Sequence, residues 1–391
     1  MAKAISTMHT IFENKENLES FAVFLLNNVL FIYVSTDNTE DAFRLFTILN
    51  DRGIPLSNAD ILKSINIGEI SEEDLDEYSK HWEYLEEKYH KGFDRFLSFV
   101  RTILLKNKPS SNLLDEYEKN IYQKNILKKG KNTIDFLIEL DGIYDKIIDL
   151  NDENLSNEYK NLVTIMKLGL HSDEWIPTVL SYFLKFEYYN LDEFIKKLEY
   201  KFIGDLMSNV SPSKRRENLN NIIKTIEIVS KENIDILFEN RELFDIDKNI
   251  FRKNINGDIY GKKYTKYLLL KMEYLMNDNS VYLSNYKEIS IEHVLPQNPL
   301  KKSHWRRDFT EEQRKLWTNK LSNLVLISNK KNVKLANLDF KKKKEEYLKN
   351  RMDVFNSSKI FLDKSSKWDE TNLRNRQNIM VNMLINNKYS E

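Results

Sequence analysis

Cysteine is absent from all 391 residues. That removes disulfides, thiolate zinc sites and cysteine nucleophiles together, and it suits a reducing cytosol. Any metal must then be held by His, Asn, Asp, Glu or water, a donor set that favours a hard ion such as Mg²⁺ or Mn²⁺. Glycine and proline are scarce, at 9 and 6. An all-β protein needs more tight turns than that, so a mainly α chain is expected. Net charge is missing as well, because 60 basic residues meet 60 acidic ones. No whole-chain basic bias therefore argues for nucleic acid. The most apolar N-terminal run, Phe21 to Val34, is broken by Asn27 and Asn28 and is shorter than the ~20 residues a membrane-crossing helix needs. No signal peptide precedes it, and no membrane partner is expected.

Apolar residues make up 41% of the chain and aromatics 12%, enough for a real core spread over two or three domains. The balanced charge is unevenly placed. Lys330, Lys331, Lys334 and Lys341 to Lys344 crowd one region, while Glu69 to Glu77 is acidic. A local basic face on a neutral protein can still hold a phosphate backbone, although a lysine run is also what a solvated helix face looks like.

Helical spacing covers most of the chain. Leu18, Phe21, Phe24 and Leu25 predict a helix over residues 13–27, and Val29 to Val34 reads as one buried strand. Ala42, Phe43, Phe46 and Leu49 form the stripe of a helix capped by Thr39 and stopped at Gly53. Ser57 to Asp60 has capping-box spacing for a further helix ending at Gly68. From Ser71 to about Leu270 only helices are expected, near 71–89, 93–106, 112–127, 133–150, 157–169, 175–188, 191–208 and 213–230. Their aromatic stripes read as core. Lys214-Arg215-Arg216 suits either a phosphate contact or a solvated helix start. A helix at Tyr264 to Tyr274 leads onward, and residues 366–388 close the chain with another.

The stretch Ile289 to Tyr347 differs. Glu292-His293 ends a short apolar segment, with Pro296 three residues on; Asn323 opens a second β-rich run, Leu324 to Ile327. Asn332 and Asn337 follow in a polar loop, and a lysine-rich helix begins near Leu338. Strand, strand, loop and helix carrying Glu-His, Asn and Asn in this order is the layout of an HNH, or ββα-metal, nuclease site. Phosphodiester cleavage needs an activated water and relief of charge on the leaving oxygen. A near-neutral histidine suits the first need and a divalent ion the second. On this reading His293 is the general base, and Glu292 with Asn332 holds the metal, Mg²⁺ first and Mn²⁺ second. Asn323 holds the His-bearing loop through backbone hydrogen bonds. Adjacent Glu292 and His293 cannot share one flat strand face, so a bend is expected near Pro296. Lys343, Lys344 and the helix start near Leu338 are candidates for the DNA backbone. His304, beside Trp305, either contacts DNA or packs, and Asn337, a further DNA-binding candidate, either orients the loop or caps the helix.

These residues resemble the GmrSD family of restriction endonucleases, in particular its C-terminal GmrD-type HNH domain. The resemblance rests on Glu292-His293-Val294-Leu295-Pro296, on Leu321 to Ser328 around Asn323, and on Asn332, Asn337, Phe340, Lys343 and Tyr347. The nine-residue step from Asn323 to Asn332 matches the HNH spacing. Ala42, Phe43, Phe46, Leu49, Asn50, Arg52, Gly53, Leu56, Asp60 and Lys63 resemble the tail of the family's GmrS-type domain. What the family implies is nucleotide-dependent cleavage of modified DNA in phage defence. Its ParB-like nucleotide-binding half, with a Asp-Gly-Gln-Gln-Arg type motif, has no counterpart before Ala42, and no Walker-type glycine loop occurs elsewhere. The nucleotide step is therefore not carried over, and a separate GmrS-type half becomes an expected partner beside DNA.

The expected architecture is a multi-helix body with a small C-terminal ββα-metal module. Its three parts are 1–68, the remnant of the GmrS-type domain; 69–255, the helical middle; and 256–391, the nuclease domain with the last helix. The alternative function is a catalytically silent or partner-dependent subunit that binds DNA or protein.

Overall fold

Three helices of the body start where a short polar side chain takes up a free backbone N–H. Ser156 accepts from Tyr159 N at 3.0 Å, Ser211 accepts from Lys214 N at 3.3 Å with Pro212 next, and Asp247 accepts from Ile250 N at 2.9 Å. These caps satisfy donors that the helix itself leaves open. The computed structural model describes residues 2–12, 18–30, 57–277, 279, 289–349, 355–363 and 367–388. They belong to two compact units, Met1–Ser57 and Asn58–Glu391.

Within the first unit, α1 is Ala2–Phe12 and α2 is Leu18–Asn28. Residues 31–34 of the expected strand, and the stripe from Ala42 to Leu49 with Asn50, Arg52, Gly53 and Leu56, lie outside the described residues. The second unit is mainly helical. Its longer helices are α3 Asn58–Ile67, α4 Leu75–Tyr89, α5 Phe93–Leu105, α6 Lys131–Ile147, α7 Asn157–Gly169, α8 Ile176–Phe186, α9 Leu191–Met207, α10 Pro212–Ile228, α11 Lys248–Ile255 and α12 Thr265–Met276. Helical spacing had marked nearly all of them. The segment expected as one helix over 112–127 is instead a short turn, Leu113–Asp115, followed by a π-helical stretch, Glu116–Tyr122. Helix α3 packs in this unit: the Asp94 carboxylate on α5 accepts from Ala59 N at 3.0 Å and from Asn58 Nδ2 at 2.7 Å.

The body's core is one continuous apolar cluster, from Leu62 and Trp82 through Tyr159, Tyr182 and Leu269 to Met383. Ion pairs sunk in the body include Arg101 with Glu116, Lys271 with Glu199 and Lys201 with Asp205. Helix α12 lies at the centre. Its Tyr267 backbone passes Gly169 of α7 so closely that a Cβ on Gly169 would stand 2.5 Å from Tyr267 Cα.

Beyond α12 the chain forms a two-stranded antiparallel sheet, β1 Ile289–His293 and β2 Leu324–Ser328. The insertion between them carries α13 His304–Asp308 and α14 Glu311–Trp317; α15 Asn329–Leu335, α16 Phe340–Leu348 and α17 Glu370–Asn386 follow β2. Side chains alternate across a strand, and here both sheet faces are buried. Leu324 and Leu326 join the body's core, whereas Val325 and Ile327 join a second cluster with Trp305, Phe309, Trp317, Phe340 and Tyr347. The expected polar loop at Asn332 is helical, because Asn332 sits inside α15.

Candidate active site

Glu292 pairs across the sheet with Val325 and His293 with Leu324. Opposed residues share a face and neighbours do not. Glu292 therefore points with Val325 toward α15 and α16, and His293 points with Leu324 toward the body. The ladder stays regular through both residues, so the bend expected beside Pro296 does not bring them to one side.

On the Glu292 face, Lys343 of α16 closes on the carboxylate. Its ammonium donates to Glu292 Oε1 and, at 2.6 Å, to His293 O. Both side chains are buried, Lys343 wholly. Burial raises the Glu292 carboxyl above its ordinary value and lowers the Lys343 ammonium, while their mutual attraction opposes both shifts. Lys343 thus offers no surface to a phosphate, contrary to its expected place on the DNA. The sequence signal was available: Phe340, Lys343 and Tyr347 fall at i, i+3 and i+7, the buried stripe of α16. Asn332 lies on the same side of the sheet, with Nδ2 donating to Ser290 Oγ at 2.6 Å.

The Glu292–Asn332 pair was the expected cradle for the ion. As arranged, these residues do not fit a divalent cation. The carboxylate is already neutralised by an ammonium in a dry setting, and His293 faces the other way. Among the described residues no group of three or more His, Asp or Glu side chains could hold a metal.

On the opposite face His293 is 9% exposed, and its ring meets Tyr260 edge-on at 4.2 Å between centroids. Burial lowers its pKa to about 4, against a hydrogen bond with the Asn319 side chain that raises it; the Lys343 charge lowers it further. The imidazole is neutral at physiological pH. Its Nε2 is buried without a protein partner. Neither Tyr260 nor Asn319 was marked by motif spacing. They are brought here by the backbone, since Asn319 O accepts from Ile259 N and Tyr260 N at 2.9 and 3.1 Å.

Asn323, fully buried, holds the turn after His293. Its Oδ1 accepts from Leu295 N at 2.7 Å, and its Nδ2 donates to Leu295 O at 2.9 Å and to Thr318 O at 2.8 Å. The Asn323 carbonyl takes Val294 N at 3.0 Å. A side-chain amide used in this way reproduces one rung of a β ladder where the strand has ended.

The remaining candidates are dispersed. Lys344 donates to Asp363 O and lies over the Phe340 ring. Lys341, Lys342 and Asn337 are exposed. His304 is exposed beside the buried Trp305, and its backbone N–H donates to Asp339 Oδ1 at 2.9 Å. In the body, Arg215 and Arg216 both pair with Glu174, at 3.2 and 3.0 Å, and Lys214 with Glu217 at 2.6 Å. That triplet is held by carboxylates.

No curated protein matches the chain. Residues 245–383 match the family described as GmrSD restriction endonucleases, C-terminal domain, and the chain thus carries a C-terminal domain of the GmrSD type.

Proposed function

We propose that residues 289–348 form an HNH-type ββα nuclease module and that the chain hydrolyses phosphodiester bonds of DNA. It would act in the cytoplasm as part of a modification-dependent restriction or anti-phage defence system. The GmrSD-type domain supports DNA as substrate. The observation that carries the chemistry is His293, whose buried Nε2 has no partner in the protein. A general base must be unprotonated before it takes a proton from water, and burial keeps this ring so. The same burial makes it a weaker base than free imidazole, but nearly all of it stands in the receptive form. Asn323 would set the orientation of the turn that follows it. Mg²⁺, with Mn²⁺ as its substitute, is the cofactor HNH chemistry calls for, and with Lys343 on Glu292 the residues as arranged do not hold it.

Plasmid DNA incubated with Mg²⁺ or Mn²⁺ and either the wild-type chain or His293→Ala tests the reading. The variant is expected to cut at least about 100-fold more slowly. The acid limb of kcat/KM is expected near pH 4, the value of the buried ring, instead of near 6.5. Equal cutting by both proteins would remove His293 as the base. No cutting of modified or unmodified DNA by either would reject autonomous activity.

A second reading is a catalytically silent subunit that waits for a separate nucleotide-binding chain. It is favoured by α2, which buries none of its side chains and leaves Phe24 57% and Leu26 84% exposed. Sedimentation of the purified chain separates the two: an active, monodisperse monomer contradicts the second reading.

A further inference from the structure

The insertion between the strands carries a charge that the whole chain lacks. From Leu300 to Lys320 there are seven basic side chains and three acidic ones, against an even balance overall. Two of the acids are spent within the insertion, Asp308 on Arg307 and Glu311 on Lys315. The helices of this insertion and the turn after β1 enclose a cleft of about 500 Å³, lined by Arg306, Arg314, Lys315, Glu311, Gln297 and Asn319 among others.

Its guanidiniums are held differently from those of the body. In the cavity between α5, α8 and α10, Arg95 meets Asp173, Arg101 meets Glu116 and Arg216 meets Glu174. In the insertion cleft, Arg306 Nε donates to Pro299 O at 3.0 Å and Arg314 Nη1 donates to Phe309 O at 2.5 Å. No carboxylate pairs with either among the described residues. A guanidinium fixed by a carbonyl keeps its full charge and has further N–H groups to give, which is the arrangement suited to phosphate oxygens.

The cleft also adjoins the candidate base. Asn319, which lines it, is the side chain that hydrogen-bonds the His293 ring. Thr318, which lines it too, gives its carbonyl to Asn323. We infer that this cleft seats the DNA backbone, with Arg306 and Arg314 holding phosphates and Lys315 at the rim, so that the strand runs past the wall shared with His293. Of the lysines expected on the polymer, Lys343 is buried against Glu292 and turned away from it. The identity of the polymer rests on the endonuclease reading.

Binding can be read apart from cutting. A short labelled duplex is titrated by fluorescence anisotropy over a range of salt, with full-length His293→Ala as the parent so that no cleavage depletes the probe. Adding Arg306→Gln together with Arg314→Gln is expected to weaken binding by about 10-fold or more. It should also reduce the slope of log K against log salt by roughly 1 to 2, one ion for each lost phosphate contact. Lys315→Gln, at an exposed position, should show a smaller change in the same direction, and it keeps the test open if the arginine pair alters folding as judged by circular dichroism. Lys224→Gln, exposed on α10, should change neither quantity. Unchanged affinity and slope in the arginine and Lys315 variants overturns the inference alone, and plasmid cutting by the wild type then still upholds the nuclease reading. Failure of the parent protein to bind duplex at any salt overturns the inference together with DNA as the substrate.

Discussion

Lys343 shows how one residue's position within a helix outweighs its chemistry. Four lysines in a row look like a basic face, yet 341 and 342 stay in solvent while 343 turns inward on the stripe shared with Phe340 and Tyr347. Once there, its charge is tolerable only because Glu292 and the His293 carbonyl surround it. Removing one member of a buried pair strands the other in a dry site, which costs about 3 to 5 kcal/mol. Lys343→Ala is therefore expected to lose stability on that scale in urea unfolding, and Lys341→Ala to stay within about 0.5 kcal/mol of wild type. Equal stability of the two variants would show that the pair is not what holds α16 to the sheet.

At the scale of elements, a two-stranded sheet has two open edges, and such edges invite unwanted pairing. Here the free edge of β2 is occupied from within. Leu326 N donates to Ser357 Oγ at 3.0 Å, and Arg376 of α17 reaches Leu324 O at 3.3 Å. Glu273 of α12 in turn accepts from Asn356 N and Ser357 N at 2.6 and 2.8 Å. The segment that covers the strand is thus anchored to the central helix of the body. That helix depends on Gly169, where α7 and α12 touch backbone to backbone. Gly169→Ala forces the two helices apart, and because the obstacle is main chain no rotamer relieves it. A loss of roughly 1 to 3 kcal/mol is expected in thermal or urea unfolding, whereas Gly142→Ala, with open space at its Cβ, should not destabilise.

The molecule as a whole is neutral in net charge yet keeps several charges inside, and this shapes its response to acid. Burial works against ionisation of Glu116, but the hydrogen bonds from Arg101 and Ser110 outweigh it and hold the carboxyl at about 2, below its ordinary 4.5. Between those values the unfolded chain binds the proton and the folded chain does not. Stability from this group is present above about pH 4.5 and is lost as pH falls toward 2. The urea midpoint of the wild type should fall across that window, and that of Glu116→Gln should fall less steeply. Parallel curves would show that the Arg101–Glu116 pair carries no pH dependence.

The sequence by itself determined the helical class, the order and limits of most body helices, the two strands, and the place of Asn323 at the head of the second strand. These follow from local periodicity, turn residues and caps, which a chain expresses without knowing its neighbours. Only the tertiary structure decided that Glu292 and His293 point to opposite faces, that Lys343 is spent on Glu292, that Tyr260 and Asn319 stand against the candidate base, and that the carbonyl-held arginines line the cleft that Asn319 shares. Those facts depend on which surfaces are covered. Covering is settled by contacts between residues far apart in the chain, and it is burial that changes a lysine from a ligand for phosphate into a partner for a carboxylate.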